Sequence, residues 1–464
     1  MSDAKPHCPH QPRFDGIKQF DLLDPETRAN PHAYYAWLQD DPTRRLYTPP
    51  FEKSFLVVHR YEDVKFILTN HKLFSNAILP TQKSPFLALM DGDDHQRIRN
   101  VVMKIFQLEN PSFPKEAIHE TIRRVTENLV NHGKGELFDA WATPIPLASL
   151  CHVFGLPNDF ISIRQLHNQA IAINKALFVL GGTGPRRKPH PSFAEKLQIS
   201  WALLNSLPKL ARLKSQIGMQ GLSELKKMLF PVKTTLEIPR PNFSEMPKGL
   251  KALLDLMILF GDALFQKENK SFGILLLREA LSQKKISEAE AIMLCTFILF
   301  AGYETTASLL SNTVAHLAQA PEDFSKLKND PALIPSFMEE SLRYYTPVGR
   351  FLRRANEKVV LGDQVIPKGS IVMAMVGAAN TDPERFENPY NHFPERKMNN
   401  HLSFGKGIHF CAGAPLARFQ TLTALQELLN RTKSLNLDET KERRFVTDRD
   451  NGIFRYEELW IRIG

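Results

Sequence analysis

The stretch that most constrains this chain begins at Ser287-Glu288-Ala289-Glu290. A serine followed three residues later by a glutamate is a capping box, and the apolar pattern behind it runs to about Gln319 before Pro321 stops it. The longest apolar run within it, Ala291 to Gly302, is too short to span a bilayer. So long and apolar a helix must therefore cross a protein core, and the other elements have to be arranged around it. Its middle reads Ala301-Gly302-Tyr303-Glu304-Thr305-Thr306. Burying Glu304 there costs free energy unless something partners it, and Gly302 leaves lateral room beside the polar groups.

A second stretch, Phe404-Gly405-Lys406-Gly407-Ile408-His409-Phe410-Cys411-Ala412-Gly413, reads as a rigid loop presenting one cysteine. Gly405 and Gly407 permit backbone angles and close approaches that a side chain would block, and Gly413 lets a following helix begin tight against a flat partner. Leu416, Phe419, Thr423 and Leu425 to Leu429 predict that helix. Cys411 then sits just before a helix N-terminus, where orphan amides and the dipole favour an anionic sulfur. Taken alone, a cysteine beside a glycine-rich turn is as readily a small buried apolar residue.

With every fixed position filled, the loop resembles the haem-ligand loop of the cytochrome P450 family, F-G-x-G-x-H-x-C-x-G, in its soluble, bacterial form. The resemblance covers roughly residues 20 to 160 and 270 to 460. It implies a mainly α fold with small β-sheets, in which the long central helix lies over a haem b held by the Cys411 loop, Phe404 and Gly405 included. It implies that Cys411 is the iron ligand, that Glu304 relays protons, and that the Thr305 hydroxyl steadies bound oxygen. His95 and Arg99, one turn apart on a predicted helix, resemble the family's pair against a haem propionate. Arg353 and His409 resemble its other propionate donors, although Arg350 and Arg354 stand close to Arg353 in sequence. Arg and His suit that task because a carboxylate accepts short, charge-assisted bonds. Glu340-x-x-Arg343 on the predicted helix Pro335 to Tyr345 resembles the buried E-x-x-R that pairs with the Arg of Phe393-Pro394-Glu395-Arg396 and braces the cysteine loop.

The 464 residues contain no linker or low-complexity tract, which predicts a tail over 1–19 and one haem domain over 20–464. Four cysteines far apart, with no C-x-x-C, argue against a zinc site or a disulfide framework and fit a reduced cytoplasm. His7, Cys8 and His10 belong to the tail and carry no assignment. Pro31 opens a helix through Tyr34, Trp37 and Leu38, Phe55 to Val58 reads as a strand, Tyr61 starts another helix, and Val359 to Val376 reads as hairpin strands. Asn76 to Met90 is an irregular loop with Ile78, Leu79, Phe86 and Leu87, which the resemblance places over the substrate. Gly135 to Pro157 resembles the family's next two helices.

Between about 181 and 250 the resemblance lapses into an enlarged basic lid, with twelve Lys/Arg against four Asp/Glu where the whole chain carries +9. Phe193, Leu197, Trp201 and Leu204 mark one amphipathic helix there, and Leu222, Leu225 and Leu229 another, with Pro208 and Pro231 as breaks. This lid reads either as a charged face in solvent or as the seat of an anionic partner: a substrate carboxylate, an acidic carrier protein or a membrane surface. The resemblance implies a monooxygenase that inserts one oxygen atom of O₂ into a small apolar substrate. Electrons would come from a separate ferredoxin and ferredoxin reductase, or a flavodoxin, docking near Lys406, Arg97 and Arg418. Phe86, Leu87, Phe297, Val348 and Phe351 are the expected apolar pocket. No nucleic acid and no transmembrane segment are expected. A peroxide-driven peroxygenase and a haem binder without turnover are the alternatives; the first typically lacks the acid–threonine pair.

Overall fold

The structure, a computed structural model, describes residues 12, 14, 16–20, 25–49, 55–78, 86–176, 192–229, 244–396, 399–445, 453 and 455–464. His7, Cys8, His10, Leu79, Arg186, Arg187, Lys188, Pro231, Lys233 and Arg240 lie outside them. The first part of the chain forms α1 (Pro25–Ala29), α2 (Pro31–Asp40), β1 (Leu46–Tyr47), β2 (Phe55–Val58), α3 (Tyr61–Thr69), β3 (Phe74–Ser75), α4 (Gly92–Ile105), α5 (Lys115–His132) and β4 (Lys134–Glu136). Then come α6 (Pro144–Phe154), α7 (Phe160–Ala176), α8 (Phe193–Asn205), α9 (Leu207–Leu229), α10 (Met246–Phe265), α11 (Phe272–Ser282), α12 (Glu288–Gln319), α13 (Pro321–Asn329) and α14 (Ile334–Tyr345). The rest is β5 (Phe351–Ala355), β6 (Val359–Leu361), β7 (Gln364–Ile366), β8 (Ile371–Ala374), α15 (Val376–Ala379), α16 (Ala414–Arg431), β9 (Leu435–Leu437), β10 (Arg444–Phe445), β11 (Tyr456–Glu458) and β12 (Trp460–Ile463).

The long helix is α12, and its start is built as the capping box requires: Ser287 Oγ accepts from the Glu290 N–H at 3.1 Å while the Glu290 carboxylate accepts from the Ser287 N–H at 2.8 Å. It is buried on nearly every side, as an apolar helix without a polar face must be. Among the described residues it is the one helix long and apolar enough to cross a membrane, yet 83% of its most apolar window is buried inside the protein. Helices α6, α9, α10, α14 and α16 pack around it, and one continuous apolar cluster runs from Leu87 to Ile461.

To one side lies a five-stranded sheet in the order β1-β2-β8-β5-β3, parallel only between β2 and β8. Smaller sheets are β4-β12-β9, β6-β7 and β10-β11. In β5 the pleat alternates so that Arg353, opposite Val372, turns inward while Arg354 is less covered.

One expectation is corrected. Gly135 to Pro157 forms β4, a π-helical turn at Phe138–Ala142 and a single helix α6, not two helices. Pro208 stands at the break between α8, which ends at Asn205, and α9, in whose first turn its missing N–H costs nothing. A further kink comes at Gly218 inside α9, whose φ of 68° only glycine adopts readily.

The acid of α14 is fully enclosed. Glu340 binds Arg343 through two bonds of 2.8 Å, receives Arg396 Nε at 3.0 Å, and accepts the Phe393 N–H and Asn399 Nδ2 at 2.9 Å each. Arg343 continues outward to the carbonyls of Asn380, Pro389 and Asn391. This network ties α14 to the segment that leads into the cysteine loop.

Candidate functional site

The cysteine loop is set by glycine. Gly405 and Gly407 have φ of 71° and 72°, and a Cβ on Gly407 would press to 3.0 Å from the carbonyl oxygen of Leu68 at the end of α3. The Cys411 N–H donates to Phe404 O at 2.8 Å and Gly405 N–H to Leu402 O at 2.8 Å, closing the loop on itself. Helix α16 begins three residues after Cys411, as the spacing predicts. Burial pushes the Cys411 thiol up; the amides of Gly413 and Ala414 and the charges of Arg99 and Arg418 act in the opposite direction. The Cys411 side chain opens onto a cavity of about 290 Å³.

That cavity lies between α12 and the cysteine loop, and its lining includes Thr305, Phe404, Gly405, His95, Arg99, Arg353 and His409. Of the catalytic and haem-binding residues the sequence singled out, only Glu304 stays outside. The four basic residues form one wall. The His95 and His409 rings lie 4.2 Å apart, and His409 Nε2 stands 3.3 Å from Asp91. Arg99 donates to Phe410 O at 2.6 Å, and Arg353 to Leu352 O at 2.8 Å. Burial holds the Arg353 guanidinium down at about 10, with the Asp91 charge opposing, and takes His95 down to about 4, helped by His409 and Arg99. His95 Nε2 is buried without a hydrogen-bond partner. Donors kept from water with so little negative charge among them call for an anion. Of the three neighbouring arginines, Arg353 lines the cavity and Arg350 and Arg354 do not.

Asp91 was not singled out from the sequence. It accepts from Ser75 Oγ and from the N–H groups of Asn76 and Ala77, at 2.5, 3.0 and 3.2 Å, so it holds the loop after β3 against His409. Gln420 was missed too: this α16 side chain lines the cavity and its Nε2 is buried without a partner. An acid in a loop and an amide in a helix carry no spacing signal.

On α12, Thr305 Oγ1 donates to Ala301 O at 2.9 Å and faces the cavity, as Gly302 does. Glu304, the next residue back, does not line the cavity with it. Successive helical residues point about 100° apart, and the Glu304 carboxylate accepts from Asn174 Nδ2 of α7 at 2.7 Å and lies 3.4 Å from Arg455 Nε. These partners supply the compensation that burial of this acid demands. Of the three residues expected at a basic docking face, Arg97 is bound to Glu290 and Asp94 and Arg418 to Glu339, and Lys406 is exposed. The apolar lining holds Leu87, Phe297, Val348 and Phe351, with Phe86 packed on Phe297 at 5.4 Å between ring centroids.

A sequence profile of the cytochrome P450 family matches residues 218–448. Cytochrome P450 107B1 of Saccharopolyspora erythraea is 28% identical over 435 residues, 88% of each chain. The beta-dihydromenaquinone-9 omega-hydroxylase of Mycobacterium tuberculosis is 26% identical over 424 residues, 90% of this chain and 74% of its own. The structure of CYP109E1 from Bacillus megaterium in complex with testosterone superposes with a TM-score of 0.73 at 24% identity, covering 95% of this chain and 99% of that one. The chain belongs to the cytochrome P450 family. It is thus an oxidoreductase of the haem monooxygenase class, and the family's cofactor is haem b. The residues of this cytochrome P450 fit that group: a sulfur at one wall answers an iron, and the partnerless His95 Nε2 and the enclosed Arg353 answer the two propionates.

Proposed function

We propose that the protein inserts one oxygen atom of O₂ into a small apolar substrate, by hydroxylation or epoxidation, and reduces the other to water. The observation that carries the reading is that a thiol, a hydroxyl on a long buried helix and a basic wall all open onto one largely apolar cavity. Haem, when bound, supplies the iron that takes up and activates oxygen. Cys411 would hold that iron, His95, Arg99, Arg353 and His409 would hold the propionates, and Phe404 and Gly405 would shape the loop beneath the ring.

The chain's remaining work is binding and proton handling. The Leu87, Phe297, Val348 and Phe351 side chains would exclude water and hold an apolar substrate by contact area. Thr305 Oγ1 donates its proton to Ala301 O, so its lone pairs are open to accept from a cavity water, and its O–H would have to turn from Ala301 O to the cavity to hand a proton inward as that water replaces it. Glu304 would act one step behind, because its carboxylate must leave Asn174 and Arg455 before it can deliver a proton to Thr305. Residues 20–464 would form a single haem domain in the cytoplasm, served by a separate ferredoxin and reductase or a flavodoxin. The omega-hydroxylase relative supports an apolar substrate class.

The test is reconstitution with a ferredoxin, its reductase and NADPH, using substrates chosen because they shift the haem Soret band. Product formed in proportion to NADPH and O₂ consumed is the expected result. Bound haem with no oxygen-dependent NADPH consumption, or turnover with peroxide alone, would overturn it.

A further inference from the structure

Helices α8 and α9 fill the segment between α7 and α10, and they are placed differently. Helix α9 buries Leu213, Ile217, Leu225 and Met228 against its neighbours. No residue of α8 is buried, and only Glu195, Ile199 and Ala202 are partly covered, at the spacing of one helix face. On the opposite side Phe193, Leu197, Trp201 and Leu204 are 77%, 56%, 67% and 58% exposed. With 3.6 residues per turn these four fall within an arc of roughly 80°. The helix is thus turned the wrong way for a protein in water alone, showing its large apolar side to solvent. Leu207, at the start of α9, continues the patch at 56% exposure.

The surroundings are cationic. Lys196, Lys214, Lys248 and Lys251 are exposed, and Arg186-Arg187-Lys188 stand in the sequence four residues ahead of α8. Lys209 at the start of α9 reaches Asp255 in a groove between α7 and α10, and exposed Phe160 and Ile161 stand in the same groove with Lys248 and Lys251.

We propose that α8 lies in the interface of an anionic phospholipid bilayer, its apolar stripe at the acyl boundary and the flanking cations at the phosphates. An in-plane helix with Trp, Phe and Leu on one side and basic residues around it gains both apolar burial and electrostatic attraction there. The indole of Trp201 suits that depth, apolar in its body and hydrogen-bonding at its N–H. A second copy of this chain is the weaker occupant, because pairing the patches would bring two segments of twelve Lys/Arg against four Asp/Glu face to face. An acidic protein surface would meet a stripe that offers it no charge. The proposal does not rest on the monooxygenase reading, and vesicle binding tests it separately.

The experiment is flotation of the full-length holoprotein with mixed phosphatidylglycerol–phosphatidylcholine vesicles, and with phosphatidylcholine alone, at low and high salt. Quenching of tryptophan emission by iodide is read in parallel, with Trp201→Phe isolating that indole; Trp37 and Trp141 are already buried. Expected are flotation with the anionic vesicles, weakening with salt, and shielding of Trp201 when they are added. A Leu197→Glu/Leu204→Glu variant, altered only at exposed positions, should keep the reduced CO spectrum and lose at least about tenfold in partitioning. Three results would overturn the proposal: no flotation at low salt, undiminished flotation of the variant, or an indole already shielded without lipid. Sedimentation would assign the last to a second copy if the variant turned a dimer into a monomer, and to a segment of the same chain if it did not.

Discussion

At the scale of single residues, the cavity asks two separable questions. The first is what the Cys411 sulfur binds. Burial disfavours its thiolate until a cation compensates, whereas Gly413, Ala414, Arg99 and Arg418 are arranged to support the anion. Cys411→His should therefore still permit haem uptake but abolish the thiolate signature of the reduced CO complex, because neutral imidazole donates less electron density. The second is how protons arrive. Thr305→Ala removes the hydroxyl that faces the cavity, so NADPH consumption should continue while flux passes from product to hydrogen peroxide. A ratio of product to NADPH unchanged from the parent would place proton delivery elsewhere. The sequence made Thr305 legible and Glu304 only half so. A helix of known phase separates neighbouring side chains, but nothing in the A-G-x-E-T pattern announces Asn174 or Arg455, which lie 130 residues before and 151 after Glu304 in the chain.

At the scale of elements, the strongest constraint is the buried charge network of α14. Glu340 and Arg343 have fully buried side chains and Arg396 is nearly so, and each carboxylate oxygen is already shared among several donors. Glu340→Gln would leave two arginines with no neutralising acid in an environment where an uncompensated charge costs about 3–5 kcal/mol. The expected outcome is a loss of that order in urea unfolding together with poor haem retention, since the network leads directly to the cysteine loop; haem content per mole of purified protein checks it. The pair was legible at i and i+3 on a predicted helix, and so were the starts of α2, α12 and α14, because capping serines and first-turn prolines act locally. Helix α6 was less so. Its segment is apolar all round, and periodicity alone does not fix where such a stretch bends into a strand.

At the scale of the whole molecule, what escaped the sequence is how elements face one another. Phe193, Leu197, Trp201 and Leu204 were legible as one side of a helix, but which side meets the body is decided by α9 and α10 and is the reverse of what an apolar stripe suggests. The same packing sets the protein's response to acid. His59 in the loop after β2 is fully buried, its Nε2 2.9 Å from Arg44 O and its Nδ1 without a partner. Burial, against that backbone bond, takes it from 6.5 down to about 4, and His32, packed on Tyr344, is taken down to about 4 in the same way. Between these values the unfolded chain binds protons that the native one refuses, so stability falls as pH drops from about 6.5 to about 4 and is unaffected by these groups above that window. Each group can contribute up to about 1.4 kcal/mol per pH unit inside it. Urea midpoints of the parent at pH 7 and pH 5 should therefore differ by more than those of a His59→Gln variant, whatever the variant loses at pH 7. Equal differences for the two proteins would mean that His59 does not take up a proton on unfolding in this range, and that the acid response arises from the carboxylates instead.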